Sequence, residues 1–222
     1  MVITAKDLIE KDIPVISFEH TVRDALQLLE DADLHQIVLV DQEHALGILY
    51  EEDLKKITDY NQKLRRDMIR DNAVGINGRL HVLDAVKLIA SNEWEVLPVL
   101  DDEMKYIGCF KWDYVLSVVS KMMAITLPGT ILVLRRLPID YSMAEIARIC
   151  ESNECRIISS GIMQEDGTNA LLITLKIDRN ELGGLISSFE RYEYELVASF
   201  GDMDYKDFLK DRYDLLMNYL NM

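Results

Sequence analysis

Cysteine is scarce in this chain, basic residues are outnumbered, and long apolar runs are missing; each shortage removes a class of function. Cys109, Cys150 and Cys155 form an odd, sparse set, which suits a reducing compartment better than a disulfide framework. Cys150 and Cys155 stand five apart with no second Cys or His pair nearby, so structural zinc is not expected. His20, His35, His44 and His81 are scattered, and none has the four-residue spacing of a helical metal pair. No stretch approaches the roughly 18 apolar residues of a membrane span. The N-terminus reaches Lys6 and Asp7 without a signal-type apolar block. Lys and Arg number 24 against 39 Asp and Glu, for a net charge of -15. Neither half carries the basic footprint that contact with a phosphate backbone or an anionic membrane requires. The nucleophile-elbow, Walker and dinucleotide fingerprints are missing too. These absences predict a cytoplasmic protein that is not an enzyme, with no catalytic cofactor, no metal, and neither nucleic acid nor membrane as partner.

What is present is a repeat. The run Ile37 to Val40 ends in Asp41, a short polar turn follows, and a second apolar run, Ala45 to Tyr50, passes through Gly47 into Glu51, Glu52 and Asp53. Sixty residues on, Leu97 to Leu100 ends in Asp101 and a second run passes through Gly108. Upstream, Val22, Asp24, Ala25 and Leu28 return as Val82, Asp84, Ala85 and Leu88. The glycines are sixty-one apart, so the second turn holds one extra residue. Thr21 and Asp24 predict a capped helix whose buried stripe includes Val22, Ala25 and Leu29. Residues 1–12 read as a lead-in helix or arm, and Pro14 keeps the following segment extended. Two copies of one supersecondary unit, each too small to bury its own sheet face, are expected to pack against each other.

This βαββα pair resembles a tandem of CBS domains, a Bateman module, over residues 1–126, with repeat 1 about 1–60 and repeat 2 about 61–126. The residues that carry the resemblance are Leu97 to Asp101 and Gly47 through Asp53 and Leu54. The family implies a regulatory module whose inter-repeat cleft binds AMP, ADP, ATP or S-adenosylmethionine and which pairs into a homodimer. By resemblance the adenosyl site draws on Ile16, Leu34, His35, Val38, Tyr50, Asp53 and Pro98. The family's ribose signature is Ser or Thr followed three residues later by Asp; here Tyr50 precedes Asp53, and in the second copy Lys111 and Tyr114 replace both positions. Pro98 matches the family's backbone-presenting segment, where the first copy has Val38. Asp53 is therefore read either as a ribose ligand or as a helix cap.

The helix expected from Asp113 is apolar over much of its surface, either buried in its own module or shared with a second copy. Leu127, Pro128 and Gly129 then break the chain. From Thr130 the pattern predicts a strand, a helix boxed by Ser142 and Glu145, a hairpin through Asp166 and Gly167, a helix opened by Asp178 and Glu181, and a last strand at 195–200. The order βαββαβ is the ferredoxin-like split βαβ. Residues 127–201 thereby resemble an ACT domain, in an order similar to the acetoin-utilisation CBS-ACT regulators. The resemblance implies an effector loop at Asp140, Tyr141 and Ser142, although that loop has no Gly to let its backbone approach a ligand closely. Residues 202–222 predict an amphipathic helix, folded on its own domain or clasping a second subunit. The expected fold is thus α+β. The expected function is a ligand-sensing regulator with a small-molecule effector and a regulated protein partner. The alternative is a dimeric interaction scaffold whose nucleotide sites have decayed.

Overall fold

The computed structural model describes residues 3–72 and 74–201; the helix expected at 202–222 lies outside them. The chain divides into two compact units between Val119 and Ser120, within the last turns of a helix, rather than at 126/127.

The first unit holds the repeat. Repeat 1 runs β1 (Val15–Ile16), α1 (Val22–Ala32), β2 (Gln36–Asp41), β3 (His44–Tyr50) and α2 (Glu51–Leu54), and it leads into the short strand β4 (Asp71–Asn72). Repeat 2 runs β5 (Ile76–Asn77), α3 (Val82–Asn92), β6 (Val96–Leu100), β7 (Tyr106–Lys111) and α4 (Trp112–Met122). Thr21 caps α1 as its sequence dictates: its hydroxyl accepts from the Asp24 amide, and the Asp24 carboxylate accepts from the Thr21 amide. In repeat 2 His81 takes that place and accepts from the Leu83 amide through Nδ1. Both hairpins carry a bulge at the same position, Leu39/Val40 and Val99/Leu100. Gln42 and Glu43 turn the first hairpin. In the second, the Asp101 amide donates to the Lys105 carbonyl across three residues, which is the one extra residue that the spacing predicts. The helix α2 is one turn long and has no side-chain cap, so the reading of Asp53 as a helix cap does not hold.

The segments that precede the repeats are exchanged between them. Residues 4–10, ahead of repeat 1, pair with repeat 2: Thr4 bridges His81, Glu10 bridges Cys109, and Ala5 and Leu8 are buried with Val82, Leu97 and Phe110. Residues 60–72, ahead of repeat 2, pair with repeat 1: Thr21 bridges Lys63, Gly47 pairs with Asn72, and Leu64 and Ile69 join Leu29, Leu39 and Leu49. The division at residue 60 follows the chain; the packing crosses it. Glycine makes the exchange possible. A Cβ on Gly47 falls 2.1 Å from the Asp71 carbonyl oxygen and 2.4 Å from Ile69, and one on Gly108 falls 2.5 Å from Ile9. The repeats are also tied directly. Gln36, buried among apolar side chains, accepts from the Glu95 amide (2.7 Å) and donates to the Glu93 carbonyl (3.1 Å), and the His35 amide donates to the Glu95 carboxylate (2.7 Å). On α4, Val115 and Val118 face inward, whereas Trp112, Leu116 and Met122 are exposed.

The second unit runs β8 (Thr130–Arg136), α5 (Met143–Ser152), β9 (Ile157–Gln164), β10 (Leu171–Ile177), α6 (Gly183–Arg191) and β11 (Glu195–Phe200). Its antiparallel sheet has the order β11-β8-β10-β9. One face buries Leu132, Leu134, Ile173 and Leu175 against Ile146, Ile149, Leu185 and Phe189 of the helices. Two predicted caps differ. Ser142 accepts from the Glu145 amide, but Glu145 does not close the box; its carboxylate accepts from the Tyr194 hydroxyl instead. Asp178 accepts from the Arg156 amide, and α6 begins five residues later, after Leu182.

Two substitutions test the exchange and the tie. Gly47→Ala forces the arm off its strand and is expected to destabilise the first unit by about 1–3 kcal/mol, whereas Gly161→Ala, with open space around it, changes little. Both tryptophans, Trp94 and Trp112, belong to the first unit, so urea unfolding followed by tryptophan fluorescence reads the effect. Equal midpoints for the two variants refute the close-approach account. Gln36→Leu leaves the Glu95 amide without its partner, at an expected cost of about 1–3 kcal/mol. A loss below half a kcal/mol in the same assay shows that the tie is dispensable.

Candidate functional site

The site begins with α2. The Glu51 amide donates to the His35 carbonyl, which sets the turn at the end of β3 and carries Asp53 to the rim of a cavity of about 350 Å³. Leu54 and Ile57 form one wall. The exchanged arm forms the other, through Arg65, Asp67, Met68, Ile69 and Arg70. The volume lies at the small end of the range typical of small-molecule sites.

Cations surround Asp53. Lys56 Nζ lies 2.8 Å from its Oδ1, and Arg70 donates to Oδ2 through Nε at 2.8 Å and through Nη2. The Lys56 hydrogen bond, then those from Arg70, hold the Asp53 carboxyl below the usual carboxylate range, so it is an anion at neutral pH. Arg70 also pairs with Glu52 and lies 4.0 Å over the Tyr50 ring. Tyr50 donates to Asp71 Oδ2 at 2.6 Å, and the Trp94 indole N–H donates to the same oxygen at 3.0 Å. Burial and the bond to Asp71 push the Tyr50 hydroxyl pKa up. Two consecutive arm residues thus connect Asp53 of repeat 1 with Trp94 of repeat 2.

The residues proposed from sequence fall in three places. Only Asp53 lines this cavity, and it does not cap α2. Tyr50 stands behind the cavity with its hydroxyl committed to Asp71, which is not the free hydroxyl that the Ser or Thr of the family signature supplies. Leu34 and His35 line a separate groove of about 440 Å³ with Glu51, Lys55 and Tyr60, where His35 Nδ1 is 3.1 Å from Glu51. Ile16, Val38 and Pro98 are buried strand residues, packed on their neighbours. In the second unit, Asp140 is exposed in a one-turn 3-10 segment, Tyr141 packs on the core and Ser142 caps α5. A cavity of about 180 Å³ lined by Arg148, Asn153, Ser188 and Arg191 includes none of the three. Among the described residues no group of three or more His, Cys, Asp or Glu is placed to hold a metal. The three thiols are free and buried, and burial pushes that of Cys150 up to about 12, far from a reactive thiolate. No described helix is long and apolar enough to cross a membrane.

Sequence reading missed Arg70, Asp71 and Trp94. A signal existed: Ile9 and Ile69, sixty apart, each face the glycine of the opposite repeat, so the repeat extends upstream of the stretch that first reveals it.

Comparison with known proteins agrees with this arrangement. Residues 5–59 match the model of the CBS domain. Over 105 residues, 47% of this chain, the sequence is 31% identical to inosine-5'-monophosphate dehydrogenase of Methanocaldococcus jannaschii, but the match spans only 21% of that enzyme. A CBS domain-containing protein of Dictyostelium discoideum is 28% identical over 138 residues, 55% of this chain and 95% of that one. Among solved structures, a CBS domain pair/ACT domain protein from Thermotoga maritima matches with a TM-score of 0.51 and 20% identity, covering 55% of this chain and 99% of that one. Residues 5–59 therefore match a CBS domain, and just over half of the chain shares the fold of a CBS domain pair.

Proposed function

We propose that this protein is a ligand-sensing regulator whose first unit binds an adenosine-containing ligand at the Asp53 cavity. The observation that supports it is the ionised Asp53 at the rim of a 350 Å³ cavity walled by the arm of the opposite repeat. A carboxylate of this kind can accept both hydroxyls of a ribose, and the apolar Ile57 and Met68 offer a surface for a base. AMP, ADP, ATP and S-adenosylmethionine are the candidates. The ligand acts by binding one arrangement of the arm better than another.

The second unit is read as an ACT-like domain that dimerises the chain or takes a second small effector. The edge strand β9, which carries no charged residue, is suited to pairing with another copy. The resulting homodimer acts on a regulated protein partner in the cytoplasm. No catalytic role is assigned.

One observation favours the alternative of a dimeric scaffold without a ligand. Asp53 is already neutralised from two sides, and the second repeat has Lys111 and Tyr114 where the signature falls. Thermal shift separates the two readings, with AMP, ADP, ATP, S-adenosylmethionine and a panel of amino acids, on wild type and Asp53→Ala. A ligand that binds only the folded form stabilises it by about 2.7 kcal/mol at a concentration one hundred times its Kd. The regulator reading expects a melting temperature that climbs with nucleotide concentration in the wild type and stays flat in the variant. A flat response to the whole panel in both favours the scaffold.

A further inference from the structure

We propose that Arg70 is a built-in occupant of the Asp53 site, so that the site admits nucleotides carrying a phosphate and excludes the bare nucleoside. This rests on the adenosyl reading above and specifies the ligand class and its means of signalling.

The guanidinium of Arg70 holds the same Asp53 oxygen through two nitrogens. A ribose diol approaching Asp53 must compete with that pair. Neutral hydroxyls make weaker hydrogen bonds to a carboxylate than a guanidinium does, because only the latter is charge-assisted. Adenosine therefore has to release Arg70 and offers it nothing in return. A phosphate changes the balance: it supplies paired acceptor oxygens for the planar guanidinium fork of Arg70, while the diol takes the vacated Asp53. Arg65 lines the same cavity, paired with the exposed Asp67 of its own segment, and it adds a second guanidinium for a phosphate. S-adenosylmethionine carries a cationic sulfonium into a site that already holds Lys56, Arg65 and Arg70 nearby, and it ranks with adenosine rather than with AMP.

The same residue supplies a readout. Arg70 lies on the Tyr50 ring, Tyr50 is bonded to Asp71, and Asp71 holds the Trp94 indole. Moving Arg70 toward a phosphate removes the cation from the ring and frees the first link of that chain. Occupancy at repeat 1 is thereby passed to repeat 2 through the two residues Arg70 and Asp71. The coupling has a physical path with two distinct arrangements, Arg70 on Asp53 or Arg70 on phosphate.

The test uses the full chain with Trp112→Phe, so that Trp94 is the only tryptophan. AMP, adenosine and S-adenosylmethionine are titrated by calorimetry and by Trp94 fluorescence, in that background and with Arg70→Gln added. The expected result is AMP at least tenfold tighter than adenosine or S-adenosylmethionine, with a Trp94 emission change on AMP binding. In Arg70→Gln, adenosine tightens severalfold as Asp53 is freed, the AMP preference falls below threefold, and the emission change disappears. Adenosine binding as tightly as AMP to the Arg70 protein overturns the proposal, as does an AMP preference or emission change that survives Arg70→Gln; both leave the adenosyl reading standing. No binding of any of the three to either protein overturns the adenosyl reading itself. Circular dichroism of Arg70→Gln confirms folding, and Arg70→Lys, which keeps the charge without the fork, is expected to fall between the two.

Discussion

The first unit depends on one exchange: each repeat is completed by the chain segment that precedes the other. Leu64 and Ile69 belong to the core of repeat 1, and Ala5 and Leu8 to that of repeat 2. The two glycines that the segments cross, Gly47 and Gly108, are where that exchange meets its steric limit, since any side chain there overlaps the arm. Neither repeat buries its sheet alone, and the two form one compact unit. Repeats of this size gain their stability from the neighbour in general; here the neighbour also contributes chain.

That exchange decides where a ligand site can form. The cavity at Asp53 is bounded on one side by repeat 1's own α2 and on the other by an arm that continues directly into repeat 2. A ligand filling it touches a segment whose position both repeats feel. The repeats have diverged at this point. In repeat 1 the turn after the glycine strand supplies Asp53, while in repeat 2 Lys111 and Tyr114 stand at the corresponding positions and the Lys111 amide donates to the Glu10 carboxylate of the arm; the turn itself is set alike in both, Glu51 to His35 and Trp112 to Glu95. In an acidic chain of net charge -15, Lys56 and Arg70 meet at one carboxylate, Asp53, while Arg65 pairs with Asp67 on the same cavity wall.

The fold was legible where periodicity and spacing act locally. Val22, Ala25 and Leu29 at helical spacing, the Thr21 box, the offset of sixty and the single inserted residue before Gly108 all follow from short-range rules, and the structure has each of them. The order of strands and helices in the second unit was legible for the same reason. Caps were less so: Glu145 and Asp178 were drawn to Tyr194 and Arg156, partners brought near only by tertiary packing. Of the residues proposed for a ligand site, Asp53 is the one that lines the cavity against the arm. Ile16, Val38 and Pro98 read as cleft residues by position in a motif, but the strands bury them. Arg70 and Asp71 were hidden because they sit in a stretch without periodicity, and their importance comes from the arm crossing to a strand twenty residues earlier in the chain.

The crossing explains why the site is occupied from within. Bringing Ile69 onto Gly47 fixes the backbone of the next two residues against β3, and the Arg70 amide donates to the Ile48 carbonyl. With its backbone fixed there, the Arg70 side chain has an aromatic face at Tyr50 and two carboxylates, Glu52 and Asp53, within reach. It pairs with both carboxylates while keeping its guanidinium on the Tyr50 ring. The carboxylate that makes the cavity useful is therefore guarded by the segment that makes the cavity exist. On the proposed reading, a binding event there is an exchange of partners rather than the filling of a void, and such an exchange lets a small ligand bias one conformation over another.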